Sequence, residues 1–308
     1  MASSTDGPGI REPTSPVTWL DTRLAFRDMI ELSNIEIGAL LGSGGQGDVY
    51  EVTSDPGQLL KRYRTGIDVD DAGLAALVDW RKRLSQKDIA IVDKHTAWPL
   101  EVVDCEDGTF GILMNRAPNE YWHMVEGDEL PRDLSWAFMM DAARFVGLQP
   151  ASPLAAVMMM AQIATVFDVF HRNGVVYGDL SASNVLWTSG NSPSVLLIDC
   201  DAAEVTGQPR ALKEAQTPLW NCPWPGVEGR ERDEYKLAVA FLRLFFRYEG
   251  PIADTTQNIQ VPAYPPVTRD AADLLGAGLK QVSIRPSAAD WLPALHQLHR
   301  GLKKRKVA

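Results

Sequence analysis

Asp179 and Asn184 stand five positions apart between two apolar runs, Val175-Val176-Tyr177 and Val185-Leu186-Trp187, and Asp199 closes a third run fifteen residues after Asn184. Transfer of a phosphoryl group from ATP needs such a set. One carboxylate orients the acceptor hydroxyl, and an amide oxygen with a second carboxylate holds Mg²⁺ on the phosphates. An Asp-x₄-Asn pair alone says little, because surface loops contain it by chance. The flanking runs and the second Asp give it weight. Asp201 competes with Asp199 for the metal. The run Val195-Leu196-Leu197-Ile198 ends directly at Asp199, at the strand terminus where a ligand belongs, which leaves Asp201 as a helper.

A second group lies upstream. Leu41-Gly42-Ser43-Gly44-Gly45-Gln46-Gly47-Asp48-Val49 holds the pattern G-x-G-x-x-G-x-V. Glycines let a backbone approach phosphates closely and take positive φ without a Cβ clash. A dinucleotide site would need these glycines to open a helix within a βαβ unit. Here a strand pattern, Val49-Tyr50-Glu51-Val52, follows instead. A hairpin covering phosphates fits better, with an ordinary flexible turn as the plain alternative. Lys61 stands fourteen residues past Gly47 on another apolar run. A lysine there reaches phosphates as a point charge. By itself it reads as a surface strand lysine like Arg62 and Arg64, and the glycine hairpin before it singles it out.

Strands and helices must position these groups. Strand patterns cover Ile35 to Leu41, Val49 to Val52, Leu59 to Tyr63, Leu100 to Val103 and Phe110 to Met114. The last two flank a hairpin turn signal, Glu106-Asp107-Gly108. Val69 to Gln86 has helical spacing, with Leu74, Leu77, Val78 and Leu84 on one face. From Leu134 helices dominate, and strand signals return only around the three runs beside Asp179, Asn184 and Asp199. Helical patterns resume at Asp233 to Phe246, Ala271 to Leu279 and Ala288 to Leu302. A strand-rich first third before a helix-rich remainder predicts an α+β chain of two unlike lobes. The boundaries are a disordered tail over 1–22, a small antiparallel-sheet lobe over 23–118, a helical lobe over 119–302 and a basic tail over 303–308.

Composition sets limits on partners. A net charge of −10 over 308 residues argues against a nucleic-acid-binding body, which needs a basic face. Cys105, Cys200 and Cys222 have no metal-ligand spacing and suggest a reducing, cytoplasmic setting. Ala151 to Phe170 has the length of a membrane span, but Pro153, Gln162, Thr165 and Asp168 interrupt it, so a helix buried in a core is the expectation. Met158-Met159-Met160 in that run reads as core packing.

Taken together, these motifs resemble those of eukaryotic-type Ser/Thr protein kinases of the kind also found in bacteria, over about residues 34–302. Gly42, Gly44 and Gly47 match the glycine loop, and Lys61 the lysine of the third strand. Met114 matches the residue guarding the adenine pocket, so Asn115 to Ala117 would form the adenine-binding hinge. Asp179 and Asn184 match the catalytic loop, and Asp199-Cys200-Asp201 takes the place of Asp-Phe-Gly. Asp233-Glu234-Tyr235-Lys236-Leu237-Ala238 resembles the helix whose Asp supports the catalytic loop, and Ile284-Arg285-Pro286 the closing Arg-Pro segment. The resemblance implies ATP and Mg²⁺ and a protein substrate. Ile-Asp-Cys-Asp is similar to a bacterial stand-alone subgroup linked to phosphatase and von Willebrand-type partners. Small-molecule kinases share the Asp-x₄-Asn pair but do not usually carry the last two segments.

The chain departs from that pattern in four places. Tyr177-Gly178 replaces His-Arg before the catalytic Asp, which removes the Arg that reads an activation-loop phosphate. Ser181 stands in the catalytic loop where a lysine is usual, so a cation near the transferring group is missing. No Glu lies between Glu51 and Glu101, and Asp79 is either the stand-in partner for Lys61, one methylene shorter so that its helix must sit closer, or a solvated helix Asp. Cys222-Pro223-Trp224 replaces Ala-Pro-Glu, which leaves Arg285 to stack on Trp224 or pair with Glu228. A catalytically silent nucleotide-binding scaffold is therefore the rival expectation. Ser3, Ser4, Thr5, Thr14 and Ser15 are expected autophosphorylation sites in an exposed tail.

Overall fold

The computed structural model describes residues 29–105, 107–190, 192–213, 217–252, 268–280 and 284–307. The expected tail over 1–22, with its Ser and Thr sites, lies outside the described residues.

Alternation in the first third builds a six-stranded sheet. Its strands are β1 (Ile30–Glu31), β2 (Ile37–Ser43), β3 (Gly47–Val52), β4 (Gln58–Tyr63), β5 (Pro99–Asp104) and β6 (Phe110–Asn115), in the order β1-β5-β6-β4-β3-β2. All neighbours are antiparallel except β1 and β5. Side chains of a strand alternate between faces. Leu60 therefore joins Val52, Val103 and Leu113 on one face, covered by Ile30, Leu32 and Ile35 of the lead-in. Lys61 pairs with Ile112 in register and shares the opposite face with Tyr63, toward the main core.

Two helices interrupt the sheet, α1 (Asp71–Lys82) and α2 (Gln86–His95). The helix expected over Val69 to Gln86 forms as α1, ending at Lys82, and Ser85 caps a second helix beyond it, accepting from the Asp88 N–H. Asp70 caps α1 in the same way, accepting from Gly73 N. Trp80 on α1 meets Trp98, with ring centroids 4.6 Å apart, and Trp98 meets Phe170 at 5.2 Å. Trp80 Nε1 also donates to Asn173 O at 2.9 Å. The small lobe is thus pinned to the large one through aromatic packing.

The large lobe opens with a hairpin, β7 (Trp122–Val125) and β8 (Asp128–Pro131), that sequence patterning does not reveal. Its turn places Glu126 and Gly127 at positive φ, a geometry usually signalled by Asn-Gly. Then follow α3 (Ser135–Phe138), α4 (Met140–Phe145), α5 (Pro153–Arg172), β9 (Val175–Val176), β10 (Val185–Trp187), β11 (Val195–Leu197), β12 (Glu204–Val205), α6 (Gly229–Phe246), α7 (Arg269–Leu279) and α8 (Ala288–Val307). Helix α5 is long and apolar enough to cross a membrane, but it sits in the core, with Met159, Met160, Ile163, Phe167 and Phe170 fully buried and α6 and α8 against it. Helix α8 runs on to Val307, so residues 303–307 continue a helix and do not form a separate tail.

Candidate active site

A cleft of about 180 Å³ lies between the lobes. Leu41, Gly42 and Val49 cover it, Met114, Asn115 and Ala117 line one edge, and Asp199 stands at its mouth. Leu59 and Ile198 also line it, as do Leu186 and Trp122, and spacing singled out none of these four. Leu59 had a visible signal, since it shares the strand face of Lys61. Trp122 had none; its indole Nε1 donates to Ala117 O at 3.2 Å.

The glycine segment is the β2–β3 hairpin. Gly44 N donates to Gly47 O at 2.9 Å, and Ser43 Oγ donates to Asp48 Oδ1 at 2.7 Å. Gly47 is required sterically, because a Cβ there would lie 2.3 Å from Arg62 O. At Gly42 and Gly45 a Cβ would meet open space.

Lys61 is buried and points from β4 toward the turn after β11. Its Nζ lies 3.1 Å from Asp199 Oδ1 and 2.8 Å from Asp201 Oδ2. Burial alone pulls the ammonium pKa down, but the Asp201 and Asp199 carboxylates outweigh it and raise the pKa. Asp79, the expected partner, is exposed on α1. The shorter reach of Asp is not remedied by moving the helix; a carboxylate 140 positions along the chain takes its place. Asp201, expected as a metal helper, here contacts Lys61 and Tyr63. It is 1% exposed, and its oxygens are engaged by Lys61 and by the Tyr63 hydroxyl at 2.6 Å. Asp199 differs. Its side chain is 49% accessible, and its backbone takes φ 52, ψ 41, a left-handed conformation uncommon for a non-glycine residue.

The loop between β9 and β10 holds Asp179 and Asn184 together. Asn184 Nδ2 donates to Asp179 O at 2.9 Å and to Asp179 Oδ2 at 2.8 Å. Thr217 Oγ1 donates to Asp179 Oδ1 at 3.0 Å. Burial raises the Asp179 pKa, opposed by Lys236, Thr217 and Asn184. Tyr177 is fully buried, and its hydroxyl donates to Ile198 O at 2.6 Å, which ties this loop to the residue before Asp199. Gly178 takes φ +78, which suits glycine. Ser181 is 0% exposed, with its hydroxyl 3.0 Å from that of Ser183.

Helix α6 supports the loop from beneath. Asp233 accepts from Tyr177 N at 2.9 Å and Gly178 N at 2.8 Å, and lies 3.1 Å from His171 Nε2. Arg285 takes partners other than the expected Trp224 and Glu228. Its guanidinium lies 5.4 Å from the Tyr235 ring centre and 3.5 Å from Glu231 Oε1, and donates to Gly278 O and Lys280 O. The substitution works because Glu231 and Tyr235 sit one turn apart on α6, facing Arg285.

No protein-family model and no curated protein matches the sequence. Solved structures do match. The kinase domain of PknI from Mycobacterium tuberculosis, in two double-mutant forms, superposes with TM-scores of 0.54 and 0.52 at 20% and 21% identity. Each match covers 86% of this chain and 95% of the PknI domain. The chain has a two-lobed protein-kinase-like fold. In that kinase frame the sheet and glycine hairpin form the small lobe and α5 to α8 the large one, Asp199 lines the cleft, Lys61 contacts Asp199, and the Asp179–Asn184 pair is joined to the adjacent Ile198.

Proposed function

We propose that this protein binds ATP in the cleft and transfers the γ-phosphoryl group to a Ser or Thr hydroxyl of a protein. The observation that carries this reading is that Asp199, which lines the cleft, lies 3.1 Å from Lys61 Nζ, while the Asp179–Asn184 pair is tied to the residue before Asp199 by Ile198 N donating to Asn184 O at 3.0 Å. Asp199 and Asn184 would hold Mg²⁺. Two protein donors suit a cation that keeps waters and takes its remaining ligands from substrate phosphates. When bound, Mg²⁺ neutralises charge on the phosphates.

Lys61 steadies the phosphates and the β2–β3 hairpin covers them. Asp179, held by Thr217 and Asn184, orients the acceptor hydroxyl. The acceptor O–H bond breaks and its proton passes to Asp179. The acceptor oxygen bonds to the γ-phosphorus, and the bond to the bridging oxygen breaks, its electron pair leaving on ADP. A cytoplasmic setting and a phosphatase or von Willebrand-type partner belong to this proposal through the resemblance alone.

A nucleotide-binding scaffold without turnover is the second reading, favoured by the buried, uncharged Ser181. Labelled ATP separates the two. Wild-type protein should label itself or a generic protein substrate, and Asp179→Ala should lower that rate by on the order of 10² or more while keeping the ATP-induced rise in Tm. Equal labelling by both proteins sinks the assignment of Asp179. A rise in Tm with no label in either supports the scaffold, and ATP turnover only with small-molecule acceptors moves the substrate class.

A further inference from the structure

The loop from Tyr177 to Asn184 contains no Lys or Arg, and neither Gly178 nor Ser181 brings charge to it. A lysine nevertheless stands against it. Lys236 on α6 is 1% exposed, its Nζ 2.7 Å from Gly178 O and 3.9 Å from Asp179 Oδ1. The first distance is a hydrogen bond, and the second an ion-pair distance without one.

We propose that Lys236 is the positioning cation of this site, supplying from beneath the loop the charge that the loop itself lacks. The inference rests on the phosphotransfer reading above. Lys236 follows Asp233 by three positions, so both reach the loop from one face of α6. Asp233 accepts the N–H groups of Tyr177 and Gly178, and Lys236 donates to the Gly178 carbonyl. The peptides on both sides of Gly178 are thus gripped with opposite polarity, which fixes where Asp179 begins. Asp179 Oδ1 then lies between Thr217 Oγ1 and the ammonium, while Oδ2 takes the Asn184 amide. A buried carboxylate otherwise pays a large desolvation cost for its charge. The Lys236 ammonium offsets that cost for the ground state and holds the carboxylate in one orientation. Burying a lysine to do only structural work would be costly, since a hydrophobic side chain of similar volume often serves as well.

The test uses the full chain with Lys236→Gln and Lys236→Arg. Gln keeps a donor for the Gly178 carbonyl and removes the charge. The expected result is a folded Lys236→Gln protein whose ATP-induced Tm rise and KM for ATP stay within about twofold of wild type, while kcat falls at least about tenfold. Lys236→Arg should recover part of that loss. A Gln variant with wild-type kcat overturns the proposal. So does an equal loss of kcat and of the ATP-induced Tm rise, which would mark a structural role. If Lys236→Gln does not fold, Lys236→Arg decides, and a folded Arg variant without turnover overturns the proposal. Wild-type protein without turnover refutes the function reading itself and this inference with it, whereas an active wild type matched by Lys236→Gln refutes this inference alone.

Discussion

Lys61 Nζ lies 2.8 Å from Asp201 Oδ2, and this ion pair joins strand β4 to the turn after β11 while Asp79 of helix α1 stays exposed. Lys61 is therefore oriented by the same turn that carries Asp199. Tyr63, two residues along β4, closes the arrangement by donating to Asp201.

Removing Asp201 should accordingly be severe. Asp201→Ala leaves a buried ammonium and a buried hydroxyl without their shared partner, and a loss of about 3 kcal/mol or more is expected. Asp79→Ala should stay within about 0.5 kcal/mol of wild type. Urea unfolding of both variants checks this, and comparable losses would place the lysine partner on α1 after all.

The glycines of the β2–β3 hairpin should separate by position. Gly47→Ala drives a Cβ into the Arg62 carbonyl, and a loss of about 1–3 kcal/mol with a weakened ATP-induced Tm rise is expected. Gly45→Ala meets open space and should leave both nearly unchanged. Thermal melting with and without Mg-ATP reads both effects, and a silent Gly47→Ala would contradict the close approach.

Asp233→Ala should cost more than one hydrogen bond. It strands the N–H groups of Tyr177 and Gly178, each unsatisfied group costing about 1–3 kcal/mol. Stability should fall by several kcal/mol, and turnover should fall further than affinity for ATP. Isothermal titration with an ATP analogue alongside rate measurements checks the ordering.

His95 gives a pH signature. It is buried, with Nδ1 3.0 Å from Val195 O. Burial lowers its pKa from 6.5, with the Val195 carbonyl opposing and Lys94 adding to the fall. The unfolded chain then takes up the proton first as pH drops. The stability contributed by neutral His95 is thus present above about 6.5 and is lost as pH falls below it. His95→Gln should lose less stability than wild type between pH 7.5 and 5.5, and parallel curves for the two proteins would refute this.

Local patterns in the chain reached far into the fold. Strand patterns located β2 to β6, helical spacing located α1 and α6 to α8, and apolar length located α5. Helix α2 was not legible in the sequence beyond Gln86, nor was the β7–β8 hairpin, whose Glu-Gly turn lacks the usual Asn-Gly signal. Within the site, Asp179, Asn184, Asp199, Lys61 and the glycines stood out through short spacings that chemistry demands.

Pairings across long separations were settled by tertiary structure. Asp201 and Asp199 are near-equivalent in sequence. Packing buries one beneath Lys61 and Tyr63 and leaves the other half-exposed in a left-handed turn. Arg285 finds Glu231 and Tyr235 because α6 presents them one turn apart, and Lys236 reaches Gly178 because α6 crosses beneath the loop. By itself, the sequence determined which groups are present and the local elements that carry them. The partner of each charge was decided by burial, which makes an unpaired ion costly and so selects, from the many carboxylates and cations in the chain, those that folding brings within reach.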